Sequence, residues 1–187
     1  VDKGDVNAMN LYGQMLFDGY PLTENKEEGV RYFKKALDNG NMNAMVNYAV
    51  KLYKGDGIKQ NKKEAINYLK TAIDSDNSEA MYEYANILFN NHSSSSSKKE
   101  AIRYYLMALN KGNSNAMYKY GKFLYDGVVL SYDIVEATRC FKKAADLGNS
   151  DAMYLYARIL SKEENDKIES NYNEALKYIK MGMIKGN

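Results

Sequence analysis

Few residues in this chain could carry covalent chemistry, and their surroundings limit what each can do. His92 is the only histidine, set in Asn90-Asn91-His92 and followed by the run Ser93 to Ser97. A Ser-His pair needs a third group to orient the base, and a histidine metal site needs several ligands. One polar loop supplies neither, so His92 reads as a surface residue. Cys140 is the only cysteine, which rules out a disulfide within the chain and points to a reducing, cytoplasmic setting. Asp56 lies between Gly55 and Gly57. The alternating oxygen ligands of an EF-hand are missing there, so it is a turn residue. Asn91-His92-Ser93 matches the acceptor pattern for N-glycosylation, which raises a lumenal compartment as the alternative. No catalytic residue, cofactor or metal is expected.

A non-covalent chemistry is better represented. Tyr82, Tyr118 and Tyr154 follow one another at 36-residue intervals, and Asn86, Lys122 and Arg158 stand four residues after each. Four residues is about one helical turn, so each tyrosine shares a helix side with an amide or a cation. Tyrosine buries a large rigid surface at small entropic cost, and the cations would select acidic or carboxylate-bearing segments of a protein partner. A competing reading has these tyrosines packing one helix on the next. A rival of another class, an RNA-binding helical repeat, would use the tyrosines for stacking with Lys122 or Arg158. The net charge of +2 and a pI near 8.4 oppose it, because they supply no strong field for a polyanion or an anionic membrane.

The elements that hold these residues repeat along the chain. The Ala-Met pair stands at Ala8-Met9, Ala44-Met45, Ala80-Met81, Ala116-Met117 and Ala152-Met153, each 36 residues after the last. Tyrosine follows each alanine by four and leucine by eight, as in Tyr48 and Leu52. Apolar positions 0, 1, 4, 5 and 8 from the alanine span about 140° of a helical face and predict an amphipathic helix A. A second set, such as Ala65, Ile66, Leu69, Ala72 and Ile73, predicts helix B. Small residues at positions 0, 5, 21 and 28 let the two backbones approach. Gly40, Gly112, Gly148 and Gly186 stand where helix B ends in a left-handed residue, with Asp76 as the exception, and the Asn or Ser that follows can cap the next helix A. Gly55-Asp56-Gly57 reverses the chain between A and B. Cys140 takes the helix B slot held elsewhere by Tyr32, Tyr68, Tyr104 and Tyr178, as a small buried substitute. In the third repeat the serine run replaces the turn glycines and is expected to be mobile. The fifth carries two extra residues between its helices, expected to bulge outward.

These residues resemble the Sel-1-like repeat (SLR) family, relatives of the tetratricopeptide repeat: an Ala-opened helix A, a Gly-x-Gly turn, an Ala-opened helix B with paired aromatics, and a closing Gly. The resemblance covers nearly the whole chain and is best from Ala44 to Asn77. Tyr12-Gly13 and Tyr48-Ala49 stand where the family more often has Leu-Gly. The resemblance implies an all-α fold, an α-α superhelix or solenoid of five 36-residue helical hairpins, with helix A lining the concave side. It also implies a non-enzymatic scaffold or adaptor that gathers other proteins, and the lumenal alternative becomes a quality-control adaptor glycosylated at Asn91. Secreted relatives carry a cysteine pair in each repeat and are linked to antibiotic binding or hydrolysis, a signature that Cys140 alone does not meet.

The expected organisation is one array over 1–187: the tail of an upstream repeat at 1–5, then repeats at 6–41, 42–77, 78–113, 114–149 and 150–187. Lys3-Gly4-Asp5 and Lys185-Gly186-Asn187 both occupy the closing slot, so a segment of a longer array is expected. Repeat ends left without neighbours would leave Met9, Tyr12, Ile179 and Met183 partly uncovered and permit self-association. No apolar run approaches the roughly 20 residues that span a bilayer.

Overall fold

The structure is a computed structural model that describes residues 5–91, 94–127, 129–161 and 171–185. All regular elements among the described residues are α-helices. They form two compact units, Val1–His92 and Ser93–Asn187. The first holds α1 (Val6–Asp18), α2 (Lys26–Asp38), α3 (Met42–Lys54), α4 (Lys62–Asp74) and α5 (Ser78–Asn91). The second holds α6 (Ser95–Asn110), α7 (Ser114–Asp126), α8 (Ile134–Asp146), α9 (Ser150–Leu160) and α10 (Tyr172–Lys185). The division falls inside the third repeat, between its two helices. Odd-numbered helices are the expected helices A and even-numbered ones helices B, so the all-α repeat reading holds. Val1 to Gly4, His92, Ser93, the extra residues of the fifth repeat's loop and Gly186 lie outside the described residues.

Helix A starts where an asparagine can serve two helices at once. The side-chain oxygens of Asn41, Asn77, Asn113 and Asn149 accept the backbone N–H of Ala44, Ala80, Ala116 and Ala152 at 2.8–2.9 Å, which satisfies a donor the helix cannot pair internally. The same amides donate outward: Asn41 to Asn7 at 2.9 Å, Asn77 to Asn43 at 3.2 Å and Asn149 to Asn115 at 2.9 Å. Each such cap is therefore also a tie to the preceding helix A. Helix B is capped by Asn25, Asn61, Asp133 and Asn171, each accepting from a glutamate N–H three residues on. The serine run departs from expectation. Ser94 caps α6 by accepting the N–H of Ser97 at 3.2 Å, and Ser95 to Ser97 form its first turn. Serine's short hydroxyl favours that position.

Helix B ends in a left-handed residue in every repeat where that residue is described. Gly40 has φ 87°, and Asp76 takes the same region at φ 61°. The backbone path, set by the return of the Asn77 N–H to the Ala72 carbonyl at 3.0 Å, overrides the side chain's preference. The α1 and α2 backbones meet at Gly13 and Gly29, where the second hairpin has the fully buried Ala49 and Ala65 and the fourth has Gly121 and Ala137. Tyrosines from A and B meet edge to face in Tyr12–Tyr32, Tyr48–Tyr68 and Tyr156–Tyr178, with ring centroids 4.7, 5.7 and 5.0 Å apart. Cys140 fills the corresponding place in α8 and is 5% exposed. The second unit's core runs through Leu124, Phe141, Met153 and Tyr156.

One expectation about the repeat ends changes. Met9 is buried, packed with Ala36 and Ala44, because the residue after the alanine faces its own hairpin and the next helix A. Tyr12 is half-buried against Tyr32, partly uncovered as expected. The large apolar residue left open on α1 is Leu11, 61% exposed. Ile179 and Met183 are exposed as expected, at 45% and 68%.

Candidate functional site

In the second unit, the predicted positions on α7 and α9 form a shared electrostatic surface. Tyr118 is half-buried, its ring 6.1 Å from that of Phe141 in α8. Burial raises its hydroxyl pKa, helped by the charge of Asp151, while Lys122 and Arg158 pull it back. Tyr118 thus contributes packing as well as surface. Lys122 makes an ion pair with Asp126 at 3.0 Å, one turn along, so its charge is partly answered within its own helix. Such exposed pairs are worth about 0–1 kcal/mol and open readily.

Tyr154 and Arg158 are the better-formed pair. Tyr154 is 61% exposed, and the Arg158 guanidinium carbon lies 5.5 Å from its ring centroid, within range for a cation–π contact. Burial works against the arginine's charge, but hydrogen bonding to Tyr154 and Tyr125 outweighs it and raises the pKa. The Arg158 Nε–H is buried and has no hydrogen-bond partner. A guanidinium beside an aromatic ring is suited to a carboxylate through its terminal N–H groups. The sequence reading did not include Tyr125. The signal was present, since Phe17, Tyr53, Phe89 and Tyr125 recur at one register nine residues after the alanine.

In the first unit, α5 carries the equivalent Tyr82 and Asn86, both half-buried. Asn86 donates to the Glu83 carboxylate at 3.4 Å. Burial raises the pKa of Glu83, and so does Glu79, while the Asn86 hydrogen bond, Lys54 and Lys51 lower it. The amide position of α5 is therefore joined to an acid rather than presented as a free donor. Glu83 shares its register with Leu11, Asn47, Lys119 and Leu155, so its burial is not marked by the repeat pattern.

The covalent candidates stay quiet. Burial, followed by the charge of Glu136, pushes the Cys140 thiol up to about 11, so the nucleophilic thiolate is scarce at neutral pH. Asp56 pairs with Lys26 at 3.2 Å and ties the α3–α4 turn to the start of α2. His92 and Ser93, with the acceptor pattern they complete at Asn91, lie outside the described residues. Among the described residues no group of three or more His, Cys, Asp or Glu side chains is placed to hold a metal, and no helix is long and apolar enough to cross a membrane.

The Sel1 repeat profile matches residues 6–41, 43–77, 78–113, 114–149 and 150–182. Among solved structures, a Sel1 repeat protein from Oxalobacter formigenes is similar with a TM-score of 0.75 at 22% identity, over 98% of this chain and 74% of that one. An immunity protein from Pseudomonas aeruginosa gives 0.72 at 22% identity, over 97% and 66%. A protective antigen of uropathogenic Escherichia coli with an SLR fold gives 0.65 at 18% identity, over 99% and 39%. No curated protein sequence matches the chain. At these identities the structural likeness speaks for the fold alone.

Proposed function

The chain belongs to the Sel1 repeat family, whose members are generally protein-interaction scaffolds, and from that premise we propose that it is a non-enzymatic scaffold binding acidic segments of partner proteins. The binding residues in the second unit are Tyr118, Lys122, Tyr154 and Arg158; Tyr82 and Asn86 occupy the same register on α5. One observation carries the reading: the Arg158 guanidinium stands 5.5 Å from the ring of the exposed Tyr154, so a cation and an aromatic surface lie side by side. The guanidinium is oriented before a partner arrives, which lowers the entropy lost on binding. A reducing, cytoplasmic location accords with the single buried cysteine.

Selection of a random displayed peptide library on the intact chain tests this. The selected peptides should be rich in Asp or Glu, and Arg158→Ala or the Tyr118→Ala, Lys122→Ala pair should weaken them at least about tenfold, roughly 1.4 kcal/mol, with helicity and melting nearly unchanged. Binders indifferent to these substitutions would move the site elsewhere. Arg158-dependent binding of single-stranded RNA instead of acidic peptides would favour the nucleic-acid alternative.

A further inference from the structure

The first unit holds two charges of opposite sign that its own fold leaves unpaired. Lys51 on α3 stands seven residues after the helix-opening alanine, the register of Met15, Ile87, Phe123 and Ile159 in the other four repeats. A lysine is thus half-buried at a position that is otherwise apolar. Its ammonium lies 3.5 Å from the centroid of the Phe17 ring on α1, and Lys26 lies over the same ring at 5.4 Å. Lys26 is paired with Asp56 at 3.2 Å. Lys51 has the ring, with no carboxylate at ion-pair distance among the described residues. Burial lowers its pKa, and the more distant charge of Asp56 only partly offsets this.

The opposite charge is on the next helix A. Within the unit α5 packs on α3, and Glu83 on α5 is half-buried, accepting the long 3.4 Å hydrogen bond from Asn86. Lys54 and Lys51 are near enough for their charges to favour its ionised form, yet neither closes into an ion pair with it. A partly desolvated charge without a counter-charge costs stability. A ligand that brings both counter-charges at once recovers that cost.

We propose that Lys51 and Lys54 on α3, together with Glu83 on α5, bind an extended segment of a partner protein that carries an acidic and a basic residue at alternate positions. The acid sits on the lysines and the base on Glu83. Packed helix axes stand about 8–10 Å apart, and alternate residues of an extended segment point to one side about 7 Å apart, so a long basic side chain covers the remainder. The Phe17 ring holds the Lys51 ammonium in place before the segment arrives. Glu83 repels a uniformly acidic segment of the kind that Lys122 and Arg158 favour, so the two units select different sequences. The inference rests on the scaffold reading but on none of the second unit's residues.

Selection of a random displayed peptide library on the Arg158→Ala chain tests this. That substitution removes binders that need the second unit's arginine, so failure here is separable from failure of the acidic-segment reading. The selected peptides should pair Asp or Glu with Lys or Arg two residues away. For synthetic peptides from that pool, Lys51→Met or Glu83→Gln, each added to the same chain, should weaken binding at least about tenfold. Both variants should melt no lower than their parent, since each removes a partly desolvated charge and methionine is the first repeat's own residue at the Lys51 register. Peptides carrying acidic residues alone, peptides indifferent to either substitution, or a library that yields no binder would each overturn the proposal. So would a Lys51→Met chain that melts below its parent, because the lysine would then be serving the fold.

Discussion

A β-carbon placed on Gly13 would stand 2.9 Å from the carbonyl oxygen of Gly29, and one placed on Gly29 would stand 2.8 Å from that of Gly13. Each glycine is the other's reason, since the α1 and α2 backbones meet at a distance that no side chain can occupy. Gly29→Ala should therefore destabilise the chain by about 1–3 kcal/mol through overpacking. In an exposed helix interior the same change would stabilise by about 1 kcal/mol. Urea unfolding separates the two, and a stabilised variant would show that the helices are free to move apart.

The cap asparagines can be dissected at Asn41, which is buried, accepts from the Ala44 N–H and donates to Asn7. Asn41→Ala should cost about 1–2 kcal/mol. Asn41→Asp keeps the cap but places a carboxylate oxygen against the Asn7 oxygen, so it should lose only the tie between α1 and α3. Thermal melting at low and neutral pH reads this: protonation of the aspartic acid restores a donor and should narrow the gap to the native chain. A gap that does not respond to pH would leave the tie without energetic weight.

Glu83 offers a pH test with a definite sign. Its folded-state pKa lies above the unfolded value because burial disfavours the charge. The folded chain then holds its proton more tightly, and stability declines as pH rises from the unfolded value through the folded one. Glu83→Gln removes the buried charge, so it should raise the melting temperature at pH 7 and have a much smaller effect at pH 4. An equal effect at both would mean that desolvation of the carboxylate is not the cause.

For Cys140, a thiol pushed up to about 11 inside the α7–α8 packing should react with iodoacetamide far more slowly than a free cysteine at pH 8. Denaturant should restore the ordinary rate. Rapid alkylation of the folded chain would show that α8 opens readily.

Most of the architecture was present in residue order alone. A contact pattern that repeats every 36 residues needs only local information, because each hairpin packs mainly on its neighbours in sequence. The alanine register, the paired tyrosines such as Tyr48 and Tyr68, the asparagine caps and the left-handed helix ends are local features that recur from repeat to repeat. Even the Lys122–Asp126 pair was legible as a one-turn spacing. Asp76 shows how strong that register is, since it takes the glycine conformation without being glycine.

What residue order could not decide was which side of a helix meets which neighbour, because that depends on atoms brought together from separate elements. Met9 and Leu11 are both apolar and two residues apart, yet one is buried against Ala36 and Ala44 and the other is open. The tyrosine series looked uniform, but Tyr118 leans on Phe141 while Tyr154 remains exposed beside Arg158. Sequence determined the period and the caps, which arise from propensities and hydrogen bonds within a few residues. Tertiary structure alone decided the burial of Glu83, the second bond of the cap amides of Asn41, Asn77 and Asn149 and the packing of Tyr118 on Phe141, because each needs a partner or a desolvated surface supplied by another helix.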